Sequence, residues 1–147
     1  NYIRKLIPDA CIGTDVIVGF PGETGDLFLE TYNYIENSEL NYLHVFPYSD
    51  RKGTRASIKK DKIDNYEKKN RSKKLRILAD KLKEEFQSKY IGKTLLGIKE
   101  KNNKVRTRNY IDVNISDSKI EQGSIVKVKI NKILNKKVLG SIVPHQE

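Results

Sequence analysis

Asp15-Val-Ile-Val-Gly-Phe-Pro-Gly-Glu-Thr24 is the stretch from which the rest of the chain is best read. Its β-branched run Val16-Ile-Val18, stopped by Pro21 and Gly22, predicts a short strand buried on both faces. Thr24 stands where it can cap a helix, and Asp26 falls in the positive first turn of that helix. Phe28, Tyr32 and Ile35 then recur at i, i+4 and i+7, which makes one apolar helical face. Beyond Asn37-Ser38, Tyr42-Leu-His-Val-Phe46 reads as a second buried strand, halted by Pro47. A strand, a crossover helix of about a dozen residues and another strand predict a βαβ unit with parallel strands.

Further along, the period changes twice. From Asp61 to about Ser88 the apolar residues Ile63, Tyr66, Leu75, Leu78, Leu82 and Phe86 follow helical spacing, with six basic residues between Lys68 and Arg76. One face of such a helix packs while the other stays wet and positive. After Tyr90-Ile-Gly92 come five short alternating segments: Thr94 to Lys99, Lys104 to Arg108, Tyr110 to Ile115, Ile125 to Ile133, and Lys137 to Val143. Turn clusters at Lys101-Asn-Asn103, Ser116-Asp-Ser118, Gln122-Gly123 and Asn135 separate them. Val126-Lys-Val-Lys-Ile130 alternates cleanly between apolar and cationic. Five strands in so short a span predict a small closed barrel of the OB type. The expected division is an α/β part at 1–60, a linking helix at 61–88 and a barrel at 89–147.

The charge follows this division. The 147 residues carry a net charge of +10, of which residues 1–60 supply −1, residues 61–88 supply +3 and residues 89–147 supply +8. A basic module beside a near-neutral one points to a polyanionic partner, the alternative being a solvated basic surface. No apolar stretch approaches the roughly 18 residues of a membrane span. Arg4 and Lys5 run into Pro8 and Asp9 rather than into the apolar core of a secretory signal. One cysteine, Cys11, excludes an intramolecular disulfide and any site built from several thiolates. The expected compartment is the cytoplasm. With no methionine, even at position 1, the chain is expected to be the C-terminal part of a longer protein.

Two loops sit where the C-terminal ends of parallel strands would meet a ligand. Gly19-Phe-Pro-Gly-Glu-Thr24 allows close backbone approach. Pro47-Tyr-Ser-Asp-Arg-Lys-Gly-Thr54 offers a phenol, two hydroxyls and two cations. Neither is a Walker A loop or a dinucleotide fingerprint, and plain turns are the competing reading. Glu23 reads as a helix-start carboxylate or a ribose partner. His44 reads as a packed histidine within an apolar strand, and Asp15 as a buried ion-pair partner. His145, near the C-terminus, carries no signal.

Taken together, the first loop and Leu43-His-Val-Phe-Pro-Tyr-Ser-Asp-Arg-Lys-Gly-Thr54-Arg-Ala56 resemble the last strands of the radical-SAM domain of tRNA methylthiotransferases. The form is most similar to the branch acting on N6-threonylcarbamoyladenosine at tRNA position 37. Residues 89–147 resemble the TRAM domain of those enzymes, with Thr107-Arg-Asn-Tyr-Ile-Asp-Val113 at its signature. Arg106 departs from the pattern, standing where a small residue is expected. The resemblance implies an α/β plus all-β fold: the last βαβ part of a partial TIM-type barrel, a linking helix and a five-stranded OB-like barrel.

It also implies sulfur insertion and methylation at C2 of the adenosine, using S-adenosyl-L-methionine and two [4Fe–4S] clusters. Each cluster needs about three or four thiolates. The cluster ligands are therefore expected upstream of Asn1, Cys11 is expected to be a buried structural thiol, and no catalytic or metal-binding residue is expected in this chain. By the same resemblance Ile17, Val18, Gly19, Val45 and Phe46 border the adenine of S-adenosyl-L-methionine through backbone and apolar contacts. Arg51 faces the substrate, its fork suited to phosphate or carboxylate, unless it forms a surface pair with Asp50 or Glu23. Lys99, Lys104, Arg106, Arg108, Lys127 and Lys129, with Tyr110, are the candidates for contact with a tRNA anticodon stem-loop. The rival reading is a stand-alone basic RNA-binding module. A third, methylthiolation of a ribosomal protein, is disfavoured by the basic barrel.

Overall fold

Strand β1 (Gly13–Val18) and strand β2 (Tyr42–Pro47) pair in parallel, in register from Gly13 opposite Tyr42 to Val18 opposite Pro47. Helix α2 (Gly25–Glu36) makes the crossover, and the Thr24 hydroxyl caps it by accepting from the Leu27 N–H at 3.2 Å. The expected βαβ unit is present. The computed structural model describes residues 2–116 and 119–144, so the turn at Ser116–Ser118 lies partly, and His145 wholly, outside the described residues. Residues 12–83 form one unit, and residues 2–11 with residues 84–144 form another.

In the first unit, the register turns Val16, Val18, Leu43 and Val45 toward one side of the two-stranded sheet. There they pack with Phe28 and Ile35 of α2 and with Leu75, Leu78 and Leu82 of helix α3 (Asn65–Ser88). Asp15, Ile17, Tyr42, His44 and Phe46 alternate to the other side and are exposed. The expectation of strands buried on both faces is therefore corrected: helices cover one face only. His44 stacks edge-on against Tyr42 at 5.3 Å on the exposed side rather than inside the core, and Asp15 is exposed too. Helix α3 begins four residues later than its periodicity suggests. Asp64 is its cap, accepting from the Glu67 N–H at 2.9 Å, and Tyr66, in the first turn, is exposed rather than packed.

The second unit begins with the short helix α1 (Tyr2–Leu6) and is dominated by a closed five-stranded barrel. Its strands are β3 (Thr94–Glu100), β4 (Lys104–Thr107), β5 (Asp112–Ile115), β6 (Ile125–Leu134) and β7 (Lys137–Val143). Around the barrel the order is β3-β4-β5-β7-β6, closing back on β3; only the β5–β7 pairing is parallel. This is an OB-like barrel, with strands close to the spans expected from the period of two. Val105, Ile111, Val113, Val128, Ile130 and Val138 fill it, and Phe86 and Tyr90 pack against them. The β6–β7 hairpin turns through Asn135 and Lys136, both at positive φ as a two-residue primed turn requires. Gly97 permits the tight approach of β3 to β4: a Cβ there would stand 2.7 Å from the Arg106 carbonyl oxygen. Cys11, half-buried rather than buried, lies against this core.

Tyr90 adds a titratable element to the barrel unit. Its phenol is buried and donates to the Asp9 carboxylate at 2.9 Å. Burial pushes its pKa above the ordinary 10, and the Asp9 hydrogen bond pushes in the same direction. A raised folded-state pKa means a contribution that is whole below the unfolded value and is lost as pH rises through the folded one. The barrel's urea midpoint is therefore expected to fall as the pH rises above about 10. In Tyr90→Phe, which cannot ionise, that decline should be shallower; an unchanged alkaline limb would show that Tyr90 is not its source.

Candidate functional site

In the first unit the loop after β1 is held by charge. Gly19 adopts φ +74°, and a Cβ at this position would run into the Lys68 side chain, so the residue type is dictated twice over. Its N–H donates to the Glu23 carboxylate at 2.6 Å. Arg71 of α3, only 5% exposed, donates to that carboxylate at 2.6 Å and to the Glu23 carbonyl at 2.7 Å, while its Nε reaches Glu67 at 2.8 Å. Burial works against the guanidinium charge, but the hydrogen bonds to Glu67 and Glu23 outweigh it and raise the pKa. Glu23 is thus engaged inside the fold, fixing the curvature of Gly19–Thr24. Arg71 is a residue that sequence reasoning missed; the Glu67–Arg71 spacing of i, i+4 was the available signal.

The loop after β2 borders a hollow of about 480 Å3 lined by Ile17, Phe46, Tyr48, Arg51, Thr54 and Ala56, among others. Ile17 and Phe46 are register partners, 59% and 50% exposed, and supply its apolar floor. Val18 and Val45 point the other way, into the core. The Val18 carbonyl is taken by the Tyr48 N–H at 2.8 Å, and the Gly19 N–H by Glu23. Of the five residues expected around an adenine, the structure therefore brings two side chains to the hollow. Arg51 joins them. Asp50 is held instead by Lys62 at 2.7 Å, which keeps its carboxyl below the usual range, and it also accepts from the Tyr48 hydroxyl at 3.0 Å. Burial, then this hydrogen bond, raises the Tyr48 phenol.

On the barrel, strand parity sorts the expected RNA contacts. Positions 94, 96 and 98 of β3 face outward, with Thr94 opposite Lys129, Leu96 opposite Lys127, and Ile98 between Ile125 and Arg106. Lys127, Lys129 and Arg108 are exposed beside this strip. Lys99 has the opposite parity: it is buried, and its ammonium donates to the Glu100 carbonyl at 2.8 Å. Arg106 is exposed but tied, its Nε lying 3.2 Å from Glu100 and 2.9 Å from Asp112. Lys104 is half-buried at the start of β4, opposite Glu100. After β4 the chain turns tightly around Thr107. The Thr107 hydroxyl donates to the Asn109 side chain at 2.6 Å and accepts from the Ile111 N–H at 3.0 Å, leaving Tyr110 projecting at φ +60°.

Among the described residues no group of three or more His, Cys, Asp and Glu side chains is placed to hold a metal ion. An iron–sulfur cluster does not fit the donors described here. No helix among the described residues is long and apolar enough to cross a membrane.

No family model matches the chain. It is 42% identical over 130 residues to "Threonylcarbamoyladenosine tRNA methylthiotransferase MtaB" of Aquifex aeolicus (strain VF5), covering 88% of this chain and 32% of that protein. It is 33% identical over 148 residues to "tRNA-2-methylthio-N(6)-dimethylallyladenosine synthase" of Acetivibrio thermocellus, covering 96% of this chain and 31% of that protein. It is also 33% identical over 150 residues to "Ribosomal protein uS12 methylthiotransferase RimO" of Clostridium botulinum, covering 95% and 34%. The chain thus spans about a third of the length of the curated relatives it matches. Among solved structures, the apo form of Mycoplasma genitalium RNase R aligns with 55% of this chain and 20% of its own at 16% identity and a TM-score of 0.33, too slight a likeness to argue from.

Removing one partner of a buried ion pair leaves the other charge uncompensated. Arg71→Met is expected to cost the first unit about 3–5 kcal/mol in urea denaturation. Combining it with Glu23→Gln should recover part of that loss, and the Gly19 amide should exchange faster in both variants. A neutral Arg71→Met would mean that the loop is held by its glycines alone.

Proposed function

We infer that this chain, which belongs to the methylthiotransferase family, forms the part of a tRNA methylthiotransferase that grips the RNA and borders the reacting centre. The observation that carries this reading is 42% identity, along 88% of the chain, to a protein named for threonylcarbamoyladenosine tRNA. The threonylcarbamoyladenosine branch is proposed accordingly. The anticodon stem-loop is the proposed docking partner, because that region carries the modified nucleoside implied by the resemblance.

The two units would divide the work. In the first, the hollow over Ile17 and Phe46 has apolar walls suited to a purine, with hydroxyls and Arg51 at its rim. These features fit one edge of S-adenosyl-L-methionine, which when bound supplies the radical precursor and the methyl donor. The residues of this chain would wall its adenine, while Arg51 pairs a carboxylate or an RNA phosphate bidentately. In the second unit Arg108, Lys127 and Lys129 would meet phosphates. The described residues offer one thiol, Cys11, and no cluster of three or more ligating side chains, so no step through a [4Fe–4S] cluster is assigned to them.

A stand-alone RNA-binding module is the competing reading. It accounts for the barrel but leaves the ion-paired loop after β1 without a purpose. Sequencing the encoding locus separates the two. A reading frame that continues upstream into cysteine triads supports the enzyme, whereas an authentic start codon just before Asn1 favours the module.

Docking through phosphates makes a quantitative prediction. The logarithm of the affinity for a tRNA anticodon stem-loop should fall linearly with the logarithm of salt concentration, and each phosphate-contacting lysine removed should lower the slope by about 1. Lys127→Ala/Lys129→Ala should therefore bind more weakly and with a shallower slope. Lys99→Ala, which removes a buried side chain, should leave the slope unchanged. A double variant with the wild-type slope would take the outer face of β3 and β6 out of the RNA interface.

A further inference from the structure

The outer face of β3 carries an apolar strip that barrel packing does not explain. Leu96, Ile98 and Ile125 are 42%, 52% and 69% exposed, and the register sets Ile98 directly opposite Ile125. Together with Tyr110 and Arg108 they line a groove of about 500 Å3, a volume in the range of small-molecule sites. Tyr110 is the more telling residue. At φ +60° a tyrosine is strained where Asn or Gly would be relaxed, and the hydrogen bonds around Thr107 hold it there. Its ring is nevertheless 70% exposed, so internal packing does not account for an aromatic residue at this position.

The charges around the strip indicate its occupant. Lys127 stands opposite Leu96, with Lys129 one outward position further along the same strand. Arg108 is exposed and has no ion pair among the described residues. Arg106, bound to Glu100 and Asp112, is a wall of the groove and not a phosphate contact. Apolar and aromatic surface flanked by unpaired cations matches a base flanked by its phosphates. Bases in a duplex are stacked on their neighbours and offer no open face. We propose that Leu96, Ile98, Ile125 and Tyr110 form a seat for an unpaired nucleobase of single-stranded RNA, with Lys127 and Arg108 on the adjoining phosphates. The proposal rests on the RNA-binding reading above and assigns it a stacking subsite.

Fluorescence anisotropy of the 147-residue chain tests it with two labelled probes, a short single-stranded RNA and an abasic ribose-phosphate oligomer of equal length. Tyr110→Gly removes the ring and relaxes the backbone, so folding is not put at risk. It should weaken binding of the base-bearing strand by about tenfold and leave the abasic strand unchanged. Tyr110→Phe keeps the ring and should bind both probes as the wild type does; Lys127→Ala should weaken both. If Tyr110→Gly affects both probes alike, or neither, the seat is wrong. A wild type that holds both probes equally overturns the seat but leaves phosphate-driven binding standing. A wild type that binds neither overturns both readings. If it instead self-associates in a manner abolished by Ile98→Lys, the strip belongs to a second copy of the chain.

Discussion

Strand β3 hydrogen-bonds on both edges, to β4 and to β6, and by doing so closes the barrel. Closure leaves the sheet no edge and forces strict alternation, because slipping β3 by one residue would exchange its inner and outer faces. On β3 the constraint is felt at Gly97, where the β4 backbone passes too close for any side chain. The composition of the outer face follows from that parity. Leu96 and Ile98 are exposed because Leu95, Gly97 and Lys99 are turned inward, and the cations of β6 fall beside them by register.

The first unit depends on a constraint of another kind. Its two strands cover one side of a small core, and the loop beyond β1 is shaped by a buried guanidinium shared between two carboxylates. A paired charge of this sort contributes little net stability but fixes geometry, because every alternative loop conformation leaves a buried charge unsatisfied. Fixed geometry suits a loop that leaves the strand carrying Ile17, part of the floor of the apolar hollow. The two units thus present different chemistries: an apolar hollow with a single guanidinium, and an apolar strip lined with cations.

Much of this was legible in the sequence, and the failures have physical causes. The barrel strands were readable because Val126-Lys-Val-Lys-Ile130 and its neighbours alternate with period two, and the Asn-containing turns between them tolerate positive φ. Thr24 announced its helix. Lys99 was assigned to the surface by charge alone. Apolar residues occupy both parities of β3, at Leu95, Leu96 and Ile98, so only closure of the barrel decides which set goes inside. His44 was expected in a core because an apolar run does not reveal how many faces are covered. Arg71 was hidden in a run of six basic residues, and its partner Glu23 lies 48 positions away. Long-range ion pairs of this kind leave no local trace.

The central claim is that one face of the barrel, chosen by strand parity, is where RNA binds. Backbone amide chemical-shift mapping of the whole chain during titration with a single-stranded RNA addresses it most directly. The expected result is a contiguous set of shifts at Leu96, Ile98, Arg108, Tyr110, Ile125 and Lys127, with the loop from Gly19 to Thr24 unaffected. Shifts confined to that loop, or spread evenly over the basic residues of α3 and the barrel alike, would contradict it.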